Sequence, residues 1–280
     1  MLDTWCEWVR QEWGDSVGEA VAYSLCGPGK RLRPALVIAA YRELGGRGDP
    51  IELATAVEVV HTYSLVHDDL PCMDDDDLRR GRPTTHCQFD VATATEAAFR
   101  MVPLSARVLA AGAAKLGLGA STTGAIALEL FRGAGTGGMV GGQVMDLEAE
   151  GREISREKLV RIHLAKTGAL ITASGVMGAL AAETGLEQIA AMRRYGREIG
   201  LAFQIVDDIL DATATSAQLG KTAGKDAKQH KATYVSIVGL DAASREADQH
   251  IQNAMDHLSS AEVDSKLLGN LAQFVARRRN

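Results

Sequence analysis

Apolar residues recur at intervals of three and four along most of the chain, and no sustained apolar/polar alternation of the kind a half-buried strand shows competes with them. The pattern predicts helices over roughly 34–44, 51–70, 91–115, 121–132, 155–183, 187–212 and 243–258, separated by short connections containing Gly, Asp or Pro. Several helices joined by short connections suit an all-α fold, a large helical bundle. No Pro/Ser-rich linker, shift in composition or internal repeat interrupts the series, so residues 1–280 read as a single domain.

Composition narrows the class. With 46% hydrophobic and 24% charged residues in 280, the chain is large enough to bury a core without disulfides or a structural metal. A net charge of -6 argues against a nucleic-acid partner, whose phosphates the average field would repel. The four cysteines, Cys6, Cys26, Cys72 and Cys87, form no C-x-x-C pair or zinc-type spacing, so they are expected to be free thiols in a reducing cytoplasm. No basic n-region opens the chain and no 18 apolar residues run together, so no membrane span is expected.

Two phosphate-like patterns fail on inspection. Gly220-Lys221-Thr222 lacks the P-loop glycine five residues earlier, where Thr215 stands. Gly133 to Gly138 matches G-x-G-x-x-G, but helical periodicity flanks it, so close helix packing or a loop explains it better than a dinucleotide site.

The chemistry lies in two acidic clusters. Asp68, Asp69 and Asp74 to Asp77 put six aspartates within ten residues. Pro71 ends the preceding helix, so Asp68 and Asp69 fall near its C-terminus, where the dipole is already negative. A hard divalent cation such as Mg2+ would remove that conflict. In the second cluster, Asp207 and Asp211 are four residues apart and share a helix face, flanked by Phe203, Ile205, Val206, Ile209 and Leu210. Like charges at this spacing on an apolar helix again call for a cation. Basic residues accompany both clusters: Lys30, Arg31 and Arg33 before a helix, Arg79 and Arg80 after the first cluster, and Lys166, Lys221, Lys225 and Lys231 around the second. Acids, a metal and basic residues together suit a diphosphate. Apolar helices around them predict a cavity for a diphosphate ester of a hydrocarbon. The spacing alone leaves ionisation, hydrolysis and simple binding open.

Taken in order, Gly29-Lys30-Arg31-Leu32-Arg33-Pro34, Asp68-Asp69 with Asp74 and Arg79-Arg80-Gly81, Gly138-Met139-Val140-Gly141-Gly142-Gln143, Lys166-Thr167-Gly168, Asp207-Asp208-Ile209-Leu210-Asp211 and Gly220-Lys221-Thr222 through Asp226 resemble the motifs of the trans-isoprenyl diphosphate synthases, most closely the bacterial short-chain type. The resemblance covers nearly the whole chain. It implies an all-α fold around a central cavity, a homodimer, and Mg2+-dependent head-to-tail condensation of isopentenyl diphosphate with an allylic diphosphate. Carried over by residue, it implies that Asp68, Asp74, Asp207 and Asp211 hold three Mg2+ ions, with Asp69 and Asp208 as supporting acids. Arg79, Lys166 and Lys221 would bind the allylic diphosphate, and Lys30, Arg33, His61 and Arg80 the isopentenyl diphosphate. Thr167, Gln204 and Lys231 would lie near the reacting allylic carbon and leaving group, while the released diphosphate takes the proton.

Product length follows from the same resemblance. Tyr63, five residues before Asp68 and beside the small Ser64, matches the residue that stops the growing tail in the farnesyl (C15) type. The family's Gly-Asp-Ala-Leu stretch is replaced near residues 98–101, so Phe99 is expected either to narrow the pocket or to reflect repacking, with Arg100 replacing a lost interaction. Geranylgeranyl (C20) and geranyl (C10) products are the nearest alternatives. A terpene cyclase is disfavoured because Asp207-Asp208-x-x-Asp211 stands where cyclases carry an Asn/Ser/Glu-type motif, and a non-catalytic partner subunit because no motif acid or basic ligand is missing.

Overall fold

Nearly all regular structure is helical in the computed structural model, which describes residues 1–213 and 232–277. Every helix predicted from periodicity is present: α3 (Leu32–Glu43), α4 (Ile51–Asp68), α6 (Val91–Lys115), α7 (Ala120–Ala134), the stretch from Arg156 to Ala181, α11 (Leu186–Thr213) and α13 (Leu240–Ser259). The chain divides into two compact units, one of residues 1–34 and 49–118 and one of 35–48 and 119–280, with α3 starting in the first and continuing into the second.

The first unit begins with α1 (Leu2–Trp13) and α2 (Ser16–Leu25), which pack together. Between them Asp15 caps α2 by accepting from the Gly18 backbone N–H at 2.8 Å. This pairing overturns one expectation. Cys6 of α1 and Cys26 just beyond α2 are joined as a disulfide, because two packed helices bring positions 20 residues apart together, and only Cys72 and Cys87 are free thiols. The centre of the unit is α4 against α6, whose start Asp90 caps through the Thr93 N–H at 2.7 Å. The helices approach so closely that a Cβ on Gly112 would lie 2.4 Å from the Leu53 backbone nitrogen. Buried Leu53, Val57, Val60, Met101, Leu104 and Val108 fill the space around that contact.

In the second unit α8 (Met139–Ala149) and α9 (Arg156–His163) precede α10 (Ala169–Ala181), which is buried along almost its whole length and packs on α7 and α11. The stretch Arg156–Ala181 is long and apolar enough to cross a membrane, yet 67% of its apolar window is buried within the fold, as for a core helix. It is not one uniform helix, since the turn Leu164–Gly168 is π-helical. α11 also packs on α13, and the chain continues to α14 (Lys266–Ala276). Glu43 accepts from the Leu267 and Leu268 backbone N–H groups and satisfies donors in the first turn of α14. Buried Tyr195 donates to the Leu268 carbonyl at 2.8 Å.

Candidate active site

The first acidic cluster grows out of the end of α4. Past Asp68 the chain folds back, so that the Asp74 N–H donates to the Asp68 carbonyl at 2.9 Å and the Asp76 N–H to the Asp69 carbonyl at 3.3 Å. Asp68 and Asp74, the two acids expected to act together, are thereby brought side by side. Asp69 turns inward, where the Arg79 Nε–H lies 2.7 and 2.8 Å from its two oxygens. Burial pushes the Asp69 carboxyl up from its ordinary value and Arg79 pulls it back part of the way. Burial also works against the Arg79 charge, but the hydrogen bond and charge of Asp69 outweigh it and hold the guanidinium above its ordinary value.

A two-residue hairpin delivers the basic pair. Strands β1 (Leu78–Arg79) and β2 (Arg82–Pro83) pair antiparallel, Leu78 opposite Pro83 and Arg79 opposite Arg82. The tip, Arg80-Gly81, has φ values of 54° and 75°, the two left-handed residues a tight hairpin turn of this hand requires. Arg79 thus points to the acids, while Arg80 donates to the Pro28 carbonyl in the loop before α3. A Cβ on Gly29 would come within 2.6 Å of Arg80 Nη1, so a side chain at 29 would oblige the end of this arginine to shift. Lys30 is exposed and Arg33 half-buried at the start of α3. Arg31 pairs with buried Glu58 of α4, a contact the sequence reading missed. His61 sits among these cations. Burial, followed by the charges of Arg33, Arg80, Arg79 and Arg31, holds its imidazole well below the ordinary histidine range, hence neutral, and its Nδ1 is buried without a hydrogen-bond partner.

The second cluster lies on α11. Asp208 is buried, with Oδ2 accepting from the Tyr234 N–H at 2.5 Å and lying 3.5 Å from His163 Nε2. It anchors the short helix α12 (Tyr234–Val238) to α11 and α9. Asp207 and Asp211 are half-buried on a different part of the helix surface, and the Gln204 amide donates to Asp207 at 3.4 Å. Lys166 and Thr167 lie in the π-helical turn, an irregularity common at functional sites. Lys166 Nζ is held 2.6 Å from the Asp146 carboxylate of α8, an acid three residues beyond the motif ending in Gln143 that the sequence reading does not single out. Gly142 makes this possible, since a Cβ there would lie 2.1 Å from the Lys166 backbone nitrogen. Gly142→Ala should therefore push α8 off the turn, lowering stability by about 1–3 kcal/mol, the usual overpacking cost, and turnover with it. A thermal unfolding midpoint and initial rate both equal to those of the parent protein would refute this role.

Gly133 and Gly138 prove to be packing residues: added Cβ atoms would meet Ala173 Cβ at 2.9 Å and the Gly133 carbonyl at 2.2 Å. Tyr63 is half-buried on α4 with its ring 5.9 Å from that of His67, and buried Ser64 donates back to the His61 carbonyl. Phe99 is 73% exposed on α6, which fits the repacked alternative better than a pocket-narrowing side chain within this chain. Arg100 beside it bonds Glu96 and Asp15, each at 2.8 Å, and lies over the Trp13 ring. Lys221, Lys225, Lys231 and the Gly220-Lys221-Thr222 segment lie outside the described residues.

The polyprenyl synthetase family model matches residues 15–269. Farnesyl diphosphate synthase of Bacillus subtilis is 41% identical over 265 residues, covering 94% of this chain and 89% of the relative. A chloroplastic geranylgeranyl pyrophosphate synthase of Arabidopsis thaliana is 42% identical over 270 residues, covering 95% and 75%. Among solved structures, a Helicobacter pylori geranyltransferase complexed with magnesium and isoprenyl diphosphate matches with a TM-score of 0.81 and 29% identity, covering 98% of this chain and 94% of that one. Motif order, all-helical fold and matches along nearly the full length agree: the chain belongs to the polyprenyl synthetase family.

Proposed function

We propose that this chain is a Mg2+-dependent short-chain prenyltransferase, which condenses isopentenyl diphosphate head to tail with dimethylallyl or geranyl diphosphate and gives mainly farnesyl diphosphate. The observation that carries the reading is the neutral His61, half-buried with its Nδ1 out of solvent, among four guanidinium groups in the same unit as the Asp68–Asp74 pair. Arg31 and Arg79 are paired with Glu58 and Asp69, and it is the further charge of Arg33, Arg80 and exposed Lys30 around His61 that supports an anion subsite beside the one the metal-binding acids would serve. Two anion subsites fit a two-substrate condensation better than a diphosphatase.

The residues fit Mg2+. Asp68, Asp74, Asp207 and Asp211 offer only carboxylate oxygens, and Asp68 stands at the negative end of α4, where a cation offsets the dipole. We assign three ions to these four acids. Bound there, Mg2+ would supply Lewis-acid stabilisation of the charge on the departing diphosphate. Arg79 and Lys166, with Lys221, hold the remaining oxygens of that diphosphate. Asp69 fixes the direction of Arg79 and Asp146 that of Lys166, so both cations are positioned before substrate arrives. Lys30, Arg33, His61 and Arg80 hold isopentenyl diphosphate, with His61 as a neutral hydrogen-bonding group. Thr167, Gln204 and Lys231 line the reacting carbon. The allylic C–O bond breaks, the alkene of isopentenyl diphosphate forms the new C–C bond, and a proton passes to the released diphosphate.

A C20 product is the second reading, favoured by the Arabidopsis relative at 42% identity. The exposed apolar residues Val91, Phe99 and Val102 on one side of α6 support a homodimer. We place the protein in the cytoplasm; burial of the membrane-length stretch within the fold supports a chain that does not span a membrane there, while the Cys6–Cys26 disulfide is unusual for a reducing compartment. Incubation of purified protein with Mg2+, isopentenyl diphosphate and either primer should give a C15 alcohol as the main hydrolysed product. A C20 alcohol would favour the second reading, and no condensation with either primer would overturn the proposal.

A further inference from the structure

A group outside the proposed Mg2+ site has a different donor chemistry. The neck of the Arg79–Arg80 hairpin is closed by the Thr84 N–H donating to the Asp77 carbonyl at 2.9 Å, and the short helix α5 (Thr85–Gln88) follows at once. This geometry sets Asp77 against His86 and Cys87. Cys87 Sγ lies 3.4 Å from Asp77 Oδ1 and 3.4 Å from His86 Nε2, and the three potential ligand atoms are all within 4.8 Å of one another. A tetrahedral ion with bonds of about 2.3 Å to sulfur and about 2.1 Å to nitrogen or oxygen separates sulfur from each of the other ligands by about 3.5 Å. The two spacings from sulfur match. The far side of the imidazole is fixed as well, with Nδ1 3.2 Å from the hydroxyl of buried Thr84. If Nδ1 carries the proton and Thr84 accepts it, the Nε2 lone pair faces the sulfur, the arrangement metal-ligating histidines adopt.

We infer that Asp77, His86 and Cys87 form a site for a borderline divalent ion of the Zn2+ class, with a fourth position open to water. Its S/N/O donors separate it from the all-oxygen carboxylate set, since thiolate and imidazole select against Mg2+. On binding, Cys87 gives its proton to solvent and its sulfur bonds the metal. The ion then ties the neck of the hairpin bearing Arg79 and Arg80 to α5.

The test uses Co2+ as a spectroscopic probe on the full chain, with excess Mg2+ present to occupy the carboxylates. One equivalent should produce a thiolate-to-cobalt charge-transfer band that Zn2+ displaces. The band should vanish in Cys87→Ser and His86→Ala, persist in Cys72→Ser, and require 10- to 100-fold more Co2+ in Thr84→Val, the usual effect of losing a supporting partner. Absence of a thiolate band in the parent protein, or its survival in Cys87→Ser, would overturn the assignment.

Discussion

Asp68→Ala and Asp207→Asn are each expected to lower the rate of condensation by roughly a thousandfold while leaving the protein as stable as before or slightly more so. The rate effect follows from several kcal/mol of charge stabilisation supplied by a metal site, at about 1.4 kcal/mol per factor of ten. The stability effect has the opposite sign, for reasons local to each helix. Asp68 is the last residue of α4, and an acid at that end is disfavoured by roughly 0.3–1 kcal/mol. Asp207 lies one helical turn from Asp211, and like charges at that spacing cost about 0.2–0.5 kcal/mol. A structural aspartate would behave otherwise. Asp208, which holds the Tyr234 N–H, should destabilise the protein when changed to Ala, because it leaves a buried donor unpaired. Paired measurements of thermal midpoint and initial rate at saturating Mg2+ separate the two kinds. If Asp68→Ala or Asp207→Asn kept most of the turnover, the metal assignment would be lost; if either lost rate only in proportion to folded protein, its role would be structural.

The contrast between Asp207 and Asp208 marks where sequence reasoning reaches its end. Acids on apolar helices are legible because their cost is local: the end of α4 and the i, i+4 spacing on α11 can be read along one segment. The helices were legible for the same reason, since a period near 3.6 over a dozen residues depends on no partner. What escaped depends on distant segments. Asp146 with Lys166 and Glu58 with Arg31 are pairs made only when helices pack, 20 and 27 residues apart in sequence. The π-helical turn is hidden because five residues at altered pitch hardly disturb the periodicity of a long apolar stretch. No short spacing joins Cys6 and Cys26, so the sequence reads them as free, and only the packing of α1 on α2 brings them together. The choice between the two expectations for Phe99 is not legible in the sequence, because periodicity says that a helix has an apolar face but not what covers it. Val91, Phe99 and Val102 form an exposed apolar strip on α6 that flanks the face buried in the unit.

Tyr63→Ala is expected to move the main product from farnesyl to geranylgeranyl length without abolishing turnover. Tyr63 lies on α4 five residues before Asp68, about 7.5 Å along the axis at 1.5 Å per residue, so it stands below the diphosphate end by a distance set by the helix alone. Its neighbours keep it there. The ring packs near His67 one turn on, and burial, followed by the Asp68 charge, raises the phenol above its ordinary value, so it stays neutral. Ser64 beside it is bonded back to its own helix and offers no competing obstruction. Removing the ring leaves space lined by helix, into which a longer hydrocarbon can extend, and the apolar surface that tail buries contributes roughly 0.8 kcal/mol per CH2 toward its retention. Tyr63→Phe, which keeps the ring and removes only the hydroxyl, should leave the product unchanged. Chain lengths of the hydrolysed products from the parent and both variants decide the matter. An unchanged distribution in Tyr63→Ala would show that the floor lies elsewhere, and a shift in both variants would point to the hydroxyl instead of the bulk of the ring.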